Sequence, residues 1–378
     1  MIVFLNNFLA PYHAARFKAL KSILDDDIVF VQLASRNNIY AWPDQAENSM
    51  ATCLFPDKDI SRISNEEMTR AVNEILSYHR PDVVLSVSYS TAAMRFGSFW
   101  ARWNGAVSVC INESWRGDKN RWLIKEWGKG LWCRWAYDGM FVGGIRSKEY
   151  YRSLGFPEKY FWLGQNVVDN NFYSSRSNEV SIDRNIYRSK YNLPHRYFLC
   201  PTRLAPEKNL ERLLKAFAKY KAENGKWDLV ITGSGPQDQK LITLTKALGL
   251  EGNVTFKGWI KTEEMPVYYG LASCAILPSV SEPWGLVVNE AMACGLPVLV
   301  SDKCGCQPEL CLQGENGYGF NPFDVDAIAA VMLKISRNLE TVVQMGAASF
   351  RLIKKYTPEN YALSLADCIQ TLRKRKNS

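Results

Sequence analysis

The sequence predicts an α/β protein built from two doubly wound domains. Short apolar runs, typical of buried parallel strands, alternate with longer polar segments of helical character along the whole chain. A chain of 378 residues is too long for one ordinary core. Hydrophobic residues make up 47% of the chain, so each half can bury a core of its own.

The predicted strands are apolar and are bounded by turn residues or polar segments. In chain order they are Ile2–Leu5, Ile28–Leu33, Val83–Val87, Ala106–Ile111, Gly139–Val142, Tyr160–Leu163, Tyr197–Pro201, Asp228–Thr232, Val254–Phe256, Cys274–Leu277 and Pro297–Val300. Helical segments such as 211–224 and 237–248 separate them. The polar stretch Ser174–Glu179 predicts a surface linker. We therefore predict domains at residues 1–172 and 173–357 and a final helical segment at 358–378. Within this segment, Pro358–Lys376 has the pattern of one long helix.

Composition argues against several classes of protein. The net charge of +8 is modest, and no nucleic-acid-binding motif accompanies it. The ten cysteines and three histidines lack the spacing of a metal site, so we predict neither a metal nor a tightly bound cofactor. No apolar run approaches the roughly 20 residues that span a bilayer, and Met1–Asn6 lacks the basic start of a signal peptide. We expect a cytoplasmic protein.

Two carboxylates, Glu282 and Glu290, are the most informative residues of the chain. Glu282 follows the strand Cys274–Leu277, and Glu290 lies more than a turn into the helix predicted at 286–294. The carboxyl ends of parallel strands are where open α/β sheets bind ligands. Ionised carboxylates accept hydrogen bonds from hydroxyls. The Pro283-Trp284-Gly285 turn lets backbone N–H groups approach a ligand, and the helix start at Leu286 offers N–H groups to a phosphate. This combination fits a sugar attached to a nucleoside diphosphate. An isolated pair of this kind could equally be two solvated carboxylates.

Three further motifs occur with this pair in a fixed order. They are Arg203-Leu204-Ala205-Pro206-Glu207-Lys208-Asn209, Ile231-Thr232-Gly233-Ser234-Gly235-Pro236 and Val254-Thr255-Phe256-Lys257-Gly258-Trp259. Together with the E-x7-E pair they resemble the signature of the large retaining glycosyltransferase family four, most specifically between about Asn166 and Pro308. The resemblance implies the GT-B fold, in which two Rossmann-like domains face each other across a cleft and the final helix crosses back to the first domain. It also implies a UDP- or GDP-sugar as the donor substrate.

The resemblance assigns roles to residues of the second domain, which would bind the nucleotide sugar. Arg203 and Lys208 would stabilise the leaving diphosphate without a metal, since a guanidinium and an ammonium can both face phosphate oxygens. Glu282 would bind the transferred sugar and Glu290 the ribose. Gly233 and Gly235 would line the donor side, together with the Pro283–Leu286 turn named above. Trp284 stands where Phe is commoner in the family, which could alter the sugar pocket. For retaining members the acceptor attacks from the front face and the leaving phosphate takes its proton.

The first domain would bind the acceptor, a glycan that is lipid-linked or part of a surface polysaccharide. The loop after the first strand lacks the glycines of many relatives, so side chains such as Asn6, His13 and Arg16 are candidates for acceptor binding. Glu113 follows the strand Ala106–Ile111, where relatives often place a polar residue beneath the transferred sugar. The alternatives are a surface position for His13 and an ion pair of Glu113 with Arg116.

Tryptophan and basic residues are concentrated in residues 115–135. On a helix, Leu123, Ile124, Trp127, Leu131 and Trp135 share one side, and Lys125, Glu126 and Lys129 share the other. This pattern suits an anionic membrane surface and would place the enzyme on the inner face of the membrane. The alternative is a helix whose apolar side packs on its own domain and whose basic side faces solvent.

Other functions fit the sequence less well. A sugar-nucleotide epimerase of the same fold would share the nucleotide pocket, and a phosphorylase would need a cofactor lysine. A non-catalytic partner subunit need not keep Arg203, Lys208, Glu282 and Glu290 together. An NAD oxidoreductase is the least consistent class, because the G-x-G at Gly233 lacks the third glycine of the dinucleotide fingerprint.

Overall fold

A computed structural model describes residues 1–36, 50–119, 121–164 and 166–377. The chain divides into two compact units. The first unit comprises Met1–Arg116, Asn120–Val167 and Pro358–Ser378, and the second comprises Gly117–Lys119 and Val168–Thr357. Each unit has a parallel sheet with helices, so the predicted α/β class with two Rossmann-like domains is confirmed.

The first unit has a seven-stranded parallel sheet in the order β3-β2-β1-β4-β5-β6-β7. Its strands are β1 (Ile2–Asn6), β2 (Ile28–Arg36), β3 (Ala51–Asp59), β4 (Val83–Val87), β5 (Val107–Asn112), β6 (Gly139–Val142) and β7 (Phe161–Leu163). Its helices are α1 (Pro11–Ile23), α2 (Asn65–His79), α3 (Ala92–Trp103), α4 (Leu123–Ala136), α5 (Ile145–Ser153) and α15 (Pro358–Lys376). The strand order reverses between β1 and β4, which makes their carboxyl ends the switch point of this sheet.

The second unit has a six-stranded parallel sheet in the order β10-β9-β8-β11-β12-β13. Its strands are β8 (Tyr197–Pro201), β9 (Asp228–Thr232), β10 (Val254–Phe256), β11 (Cys274–Leu277), β12 (Val298–Ser301) and β13 (Gly317–Phe320). Its helices are α6 (Asn170–Ile182), α7 (Arg184–Tyr191), α8 (Leu210–Ala222), α9 (Asp238–Ala247), α10 (Met265–Leu271), α11 (Leu286–Ala293), α12 (Gln307–Leu310), α13 (Val325–Ser336) and α14 (Leu339–Ile353). The switch point of this sheet lies between β8 and β11.

The carboxy-terminal helix α15 belongs to the first unit and packs along α1. Its Arg373 donates hydrogen bonds of 2.8 Å to both carboxylate oxygens of Asp26 and a further one of 2.7 Å to Asp82. These bonds hold the pKa of the Asp26 carboxyl below its ordinary value. An arginine that binds one carboxylate through two N–H groups and also contacts a second carboxylate has a well-defined geometry. Arg373 therefore fixes the position of α15 along the first unit.

The linker predicted at Ser174–Glu179 is wrong, because these residues lie inside α6. The Asp169 carboxylate caps this helix by accepting a hydrogen bond of 2.9 Å from the Phe172 N–H group. Tyr173, Ser177 and Val180 form its buried face. Tertiary packing therefore stabilises a helix where local composition favours a loop.

Two strands of the structure, β3 and β13, are not among those predicted from the sequence. Strand β3 is at the edge of its sheet, where Pro56 and charged residues are tolerated. Strand β13 contains Gly317, whose missing side chain leaves room for the backbone of Val298 on the neighbouring strand β12. Neither strand has the apolar composition that identifies a central strand. Among the described residues, no helix is long and apolar enough to cross a membrane.

Candidate active site

The candidate site of the second unit lies at the switch point of its sheet. The loop after β8 carries Arg203 and Lys208, and the loop after β11 carries Glu282. Because β8 and β11 are neighbours in the sheet, these loops leave it side by side. Residues separated by more than seventy positions in sequence thereby come into contact.

Backbone and amide hydrogen bonds tie the two loops together. The Val280 N–H group donates to the Glu207 carbonyl at 2.9 Å. Asn209, which is 5% exposed, donates from its side-chain amide to the carbonyls of Pro278 at 3.0 Å and Pro322 at 2.8 Å. Its left-handed backbone (φ +60°) begins α8 directly after the turn that holds Lys208. Asn209, which the sequence shows only as part of the Arg203 motif, therefore fixes the turn that carries Lys208.

Lys208 forms an ion pair with Glu282, with 2.5 Å between Nζ and Oε2. The two side chains are 18% and 14% exposed, so solvent screens the pair less than it would screen a surface pair. Arg203 is more open to solvent and pairs with Glu207 four residues later. Each predicted catalytic cation is therefore held close to a carboxylate at the same edge of the sheet.

Gly233 and Gly235 pack against the backbone of the Arg203 loop. A Cβ atom at Gly233 would overlap the Thr202 carbonyl, and one at Gly235 would overlap the Leu204 carbonyl. The Leu204 N–H group donates to the Ser234 carbonyl at 3.0 Å, which joins the two loops. The glycines thus permit a close backbone contact within the protein, and this contact orients the Arg203 loop.

The turn between Glu282 and α11 has a buried side and an open side. The Trp284 indole is 2% exposed, and its N–H group donates to the Asn289 side chain at 2.9 Å. This ring therefore supports the turn from inside the protein, and it does not present a face to a ligand. Pro283 is exposed, and Gly285 adopts a positive φ of +110° immediately before Leu286 begins α11. The first N–H groups of α11 have no partner within the helix and suit an anion.

Glu290 projects from α11 and accepts a hydrogen bond of 2.6 Å from the Tyr269 hydroxyl. Burial of this carboxyl raises its pKa from 4.5 to about 7, although hydrogen bonds from Tyr269 and Tyr173 act in the opposite direction. Neither tyrosine was singled out from sequence. A carboxyl with such a pKa changes charge near neutral pH, and this is a frequent property of functional sites.

Asn6 and His13 of the first unit contact each other beyond the carboxyl end of β1. His13 Nδ1 accepts a hydrogen bond of 2.8 Å from the Ala10 N–H group, and its Nε2 lies 3.2 Å from the Asn6 amide. Burial and the nearby Arg16 lower the pKa of His13 to about 3, so the ring is neutral at physiological pH. Both ring nitrogens have protein partners, and the ring caps the start of α1.

Arg16 and Glu113 are the other two candidates for acceptor binding. Arg16 is 4% exposed and donates to the Val167 carbonyl at 2.8 and 3.0 Å and to Asn166 at 2.8 Å. It therefore anchors the last residues before the second unit. Glu113 follows β5, and its carbonyl accepts a hydrogen bond of 2.7 Å from Ser147. Their predicted roles at the acceptor stay predictions. Across the described ranges, no group of three or more His, Cys, Asp or Glu side chains could hold a metal ion.

Residues 183–351 match the family model described as glycosyl transferases group 1. The GDP-mannose-dependent alpha-(1-6)-phosphatidylinositol monomannoside mannosyltransferase of Mycolicibacterium smegmatis is 31% identical over 169 residues, which cover 43% of this chain and 44% of that protein. The O-antigen chain mannosyltransferase B of Escherichia coli is 34% identical over 148 residues, 38% of each chain. The chain thus spans less than half the length of these two curated relatives.

Two solved structures share the fold across nearly the whole chain. Anabaena HepE in complex with UDP superimposes with a TM-score of 0.78 at 16% identity, covering 98% of this chain and 99% of that one. WaaG, a glycosyltransferase involved in lipopolysaccharide biosynthesis, gives 0.71 at 15% identity, with 98% and 99% covered. Residues 183–351 are therefore a glycosyl transferases group 1 domain, and the chain has the GT-B glycosyltransferase fold.

Proposed function

We propose that this protein is a retaining glycosyltransferase that uses a UDP- or GDP-sugar. The sugar goes to a hydroxyl of a lipid-linked or surface-polysaccharide glycan. The Lys208–Glu282 pair beside Arg203, at the switch point of the group 1 domain, is the observation that carries the proposal. Mannosyltransferase names among the relatives and UDP in the HepE structure support a nucleotide sugar as donor.

The proposed reaction breaks the bond between the anomeric carbon and the diphosphate of the donor. Arg203 and Lys208 face the phosphate oxygens as negative charge develops on them, in place of the divalent metal that many transferases use. Glu282 accepts hydrogen bonds from the transferred sugar, and Glu290 from the ribose. The acceptor oxygen forms the new bond on the same face of the sugar, and its proton passes to the leaving phosphate.

A diphosphate nucleotide is expected to bind without a metal. UDP or GDP at a hundredfold excess over its Kd should raise Tm by about 5 °C in EDTA. Arg203→Ala should abolish this shift, because it removes the fork-shaped phosphate donor. Arg176→Ala removes an exposed arginine from another surface ion pair of the same unit and should leave the shift unchanged. A shift that appears only with Mg²⁺ or Mn²⁺ would contradict the metal-independent site.

We propose further that the first unit docks on an anionic membrane through an exposed aromatic face. This face comprises Phe99, Trp103, Trp122, Ile124, Trp127, Leu131 and Trp135, of which Ile124, Trp103 and Trp127 are 86%, 82% and 71% exposed. Phe99 contacts Trp103 within α3 at 5.9 Å and Trp135 at 6.1 Å, and the second contact joins α3 to α4. Cations border the face, with Lys125 over Trp122 and Arg102 over Trp135. Aromatic rings with adjacent cations suit a membrane interface.

The opposite side of α4 packs on its own unit. Glu126 and Lys129 form an ion pair there and are 14% and 17% exposed. Lys129 also donates a hydrogen bond of 2.6 Å to the Tyr150 hydroxyl. The alternative, in which the apolar side packs inward, therefore fails for Ile124 and Trp127, whereas Lys125 of the basic side is exposed as that alternative requires. Of residues 115–135, Asn120 and the side chain of Leu123 lie outside the described part of the structure.

Removing apolar side chains from the exposed aromatic face should release the protein from vesicles. Ile124→Ser with Trp127→Ser is expected to weaken binding to anionic liposomes at least ~100-fold. Burial of each apolar side chain in the membrane would stabilise the bound state by about 1.5–3 kcal/mol. Ile186→Ser with Val343→Ser is the matched control, since both residues are exposed on the second unit. Vesicle flotation measures both. Equal binding of the two double variants would rule out docking through this face.

A further inference from the structure

A cavity of about 320 Å³ lies in the first unit, whereas the predicted catalytic residues belong to the second. The carboxy-terminal end of α15 lines it, and α3 and α4 contribute one arginine each, Arg102 and Arg134. Lys376, which lines the cavity, donates hydrogen bonds to the Ala106 carbonyl and the Asp138 carboxylate. These two residues precede β5 and β6, so the cavity lies at the amino edge of the sheet. Strand β5 is six residues long, about 20 Å at ~3.3 Å per residue, and Glu113 follows its other end. The cavity is therefore separate from the edge that carries Asn6 and Glu113.

The cavity is strongly cationic. Its described lining includes four basic side chains, those of Arg102, Arg134, Arg375 and Lys376, and one carboxylate, that of Asp138. Lys376 pairs with Asp138 at 3.1 Å, and the lining as a whole keeps a net positive charge. Within the described part of the chain, neither Arg102 nor Arg134 has a carboxylate partner. An anion bound in the cavity would offset the repulsion between the like charges that line it.

Local geometry holds the arginines around the cavity. The Arg375 guanidinium stacks on the Tyr160 ring at 4.8 Å, and the Arg102 guanidinium stacks on Trp135 at 5.4 Å. Gly155 has a positive φ of +84°, and a Cβ atom there would stand 2.7 Å from Arg134 Nη1. The glycine thus leaves room for this guanidinium. Stacking orients the Arg102 guanidinium without using its N–H groups, which can donate to phosphate oxygens.

We propose that this cavity, which we call the basic cavity, binds the phosphate monoester headgroup of an anionic lipid. A phosphate monoester carries about −1.5 to −2 charges at pH 7 and three acceptor oxygens, which suits three arginines better than a singly charged diester does. Arg102 lines the cavity and also stacks on Trp135 of the exposed aromatic face, so the cavity adjoins the proposed membrane surface. The inference rests on the proposed membrane docking and adds a chemical preference to it.

The test compares vesicles that differ only in their anionic lipid. Phosphatidylcholine vesicles receive phosphatidic acid, a monoester, or phosphatidylglycerol, a diester, at matched surface potential. The full chain should bind the phosphatidic acid vesicles about tenfold more tightly. Arg134→Gln with Arg375→Gln should remove this preference and keep the binding to phosphatidylglycerol vesicles through the aromatic face, since both arginines line the cavity and neither belongs to that face. Arg62→Gln with Arg70→Gln removes the same charge from the exposed surface around α2 and should retain the preference.

Three outcomes would overturn the inference, and each has a distinct meaning. If the Arg134/Arg375 variant keeps the preference, the basic cavity is not the site. If glycerol 3-phosphate binds tightly in calorimetry while the vesicles show no preference, the ligand is a soluble phosphate and not a lipid. If the unaltered protein binds neither kind of vesicle, the membrane docking fails too. Glycosyl transfer is assayed without vesicles, so its outcome is independent of all three.

Discussion

Lys208→Met is expected to lower kcat by about 10²–10³, the usual effect of removing one preorganised group that stabilises transition-state charge. The Lys208 ammonium lies 2.5 Å from Glu282 at the switch point, where the diphosphate would leave in the proposed reaction. Steady-state kinetics with the donor identified by thermal shift measure the change. Lys219→Met removes a lysine from an exposed ion pair of the same unit and should leave kcat unchanged.

A second variant separates catalysis from charge balance. Lys208→Met leaves Glu282, which is 14% exposed, without this partner, and the protein should lose stability for that reason. Adding Glu282→Gln neutralises the carboxylate and should restore part of the Tm but none of the activity. Recovery of activity in this double variant would show that Lys208 serves only to balance the charge of Glu282.

Glu290→Gln is expected to stabilise the protein above pH 7 and to have little effect near pH 5. Burial raises the pKa of Glu290 to about 7 from 4.5, so the folded state binds more protons than the unfolded state between these pH values. Stability therefore falls as pH rises through this window and is lowest once the carboxyl is ionised. The raised pKa corresponds to about 3 kcal/mol at 1.36 kcal/mol per unit. Glutamine, which is neutral at every pH, avoids this cost.

Thermal melts of both proteins from pH 5 to pH 9 test this expectation. Glu251→Gln, at an exposed position of the same unit, should give no pH-dependent difference. If Glu290 binds the ribose as proposed, the donor KM should fall as pH rises through about 7, because the ionised carboxylate is the better acceptor. Glu290→Gln should then have a high KM at all pH values. Identical melting profiles for Glu290→Gln and the unaltered protein would mean that the carboxyl is not desolvated.

The α/β class and most of the strands could be predicted because they depend on local composition. Buried parallel strands are short apolar runs, and Val83–Val87, Gly139–Val142 and Tyr197–Pro201 have the predicted bounds. Strand β13 was missed because Gly317 and Gly319 lower its apolar content. The Ser- and Asn-rich helix α6 was taken for a linker, since its stability comes from the side chains that it buries against the rest of the second unit.

The residues of the candidate site could be identified from the chain alone, because their types and spacing are properties of the sequence. Which of them come into contact depends on the fold. Lys208 and Glu282 come together only because β8 and β11 are neighbours in a parallel sheet, and Glu290 acquires its raised pKa only when its carboxyl is buried. Helical periodicity identified the two sides of α4 but not which one faces solvent. Periodicity measures the separation of apolar and polar residues on an element, whereas exposure depends on what packs against it.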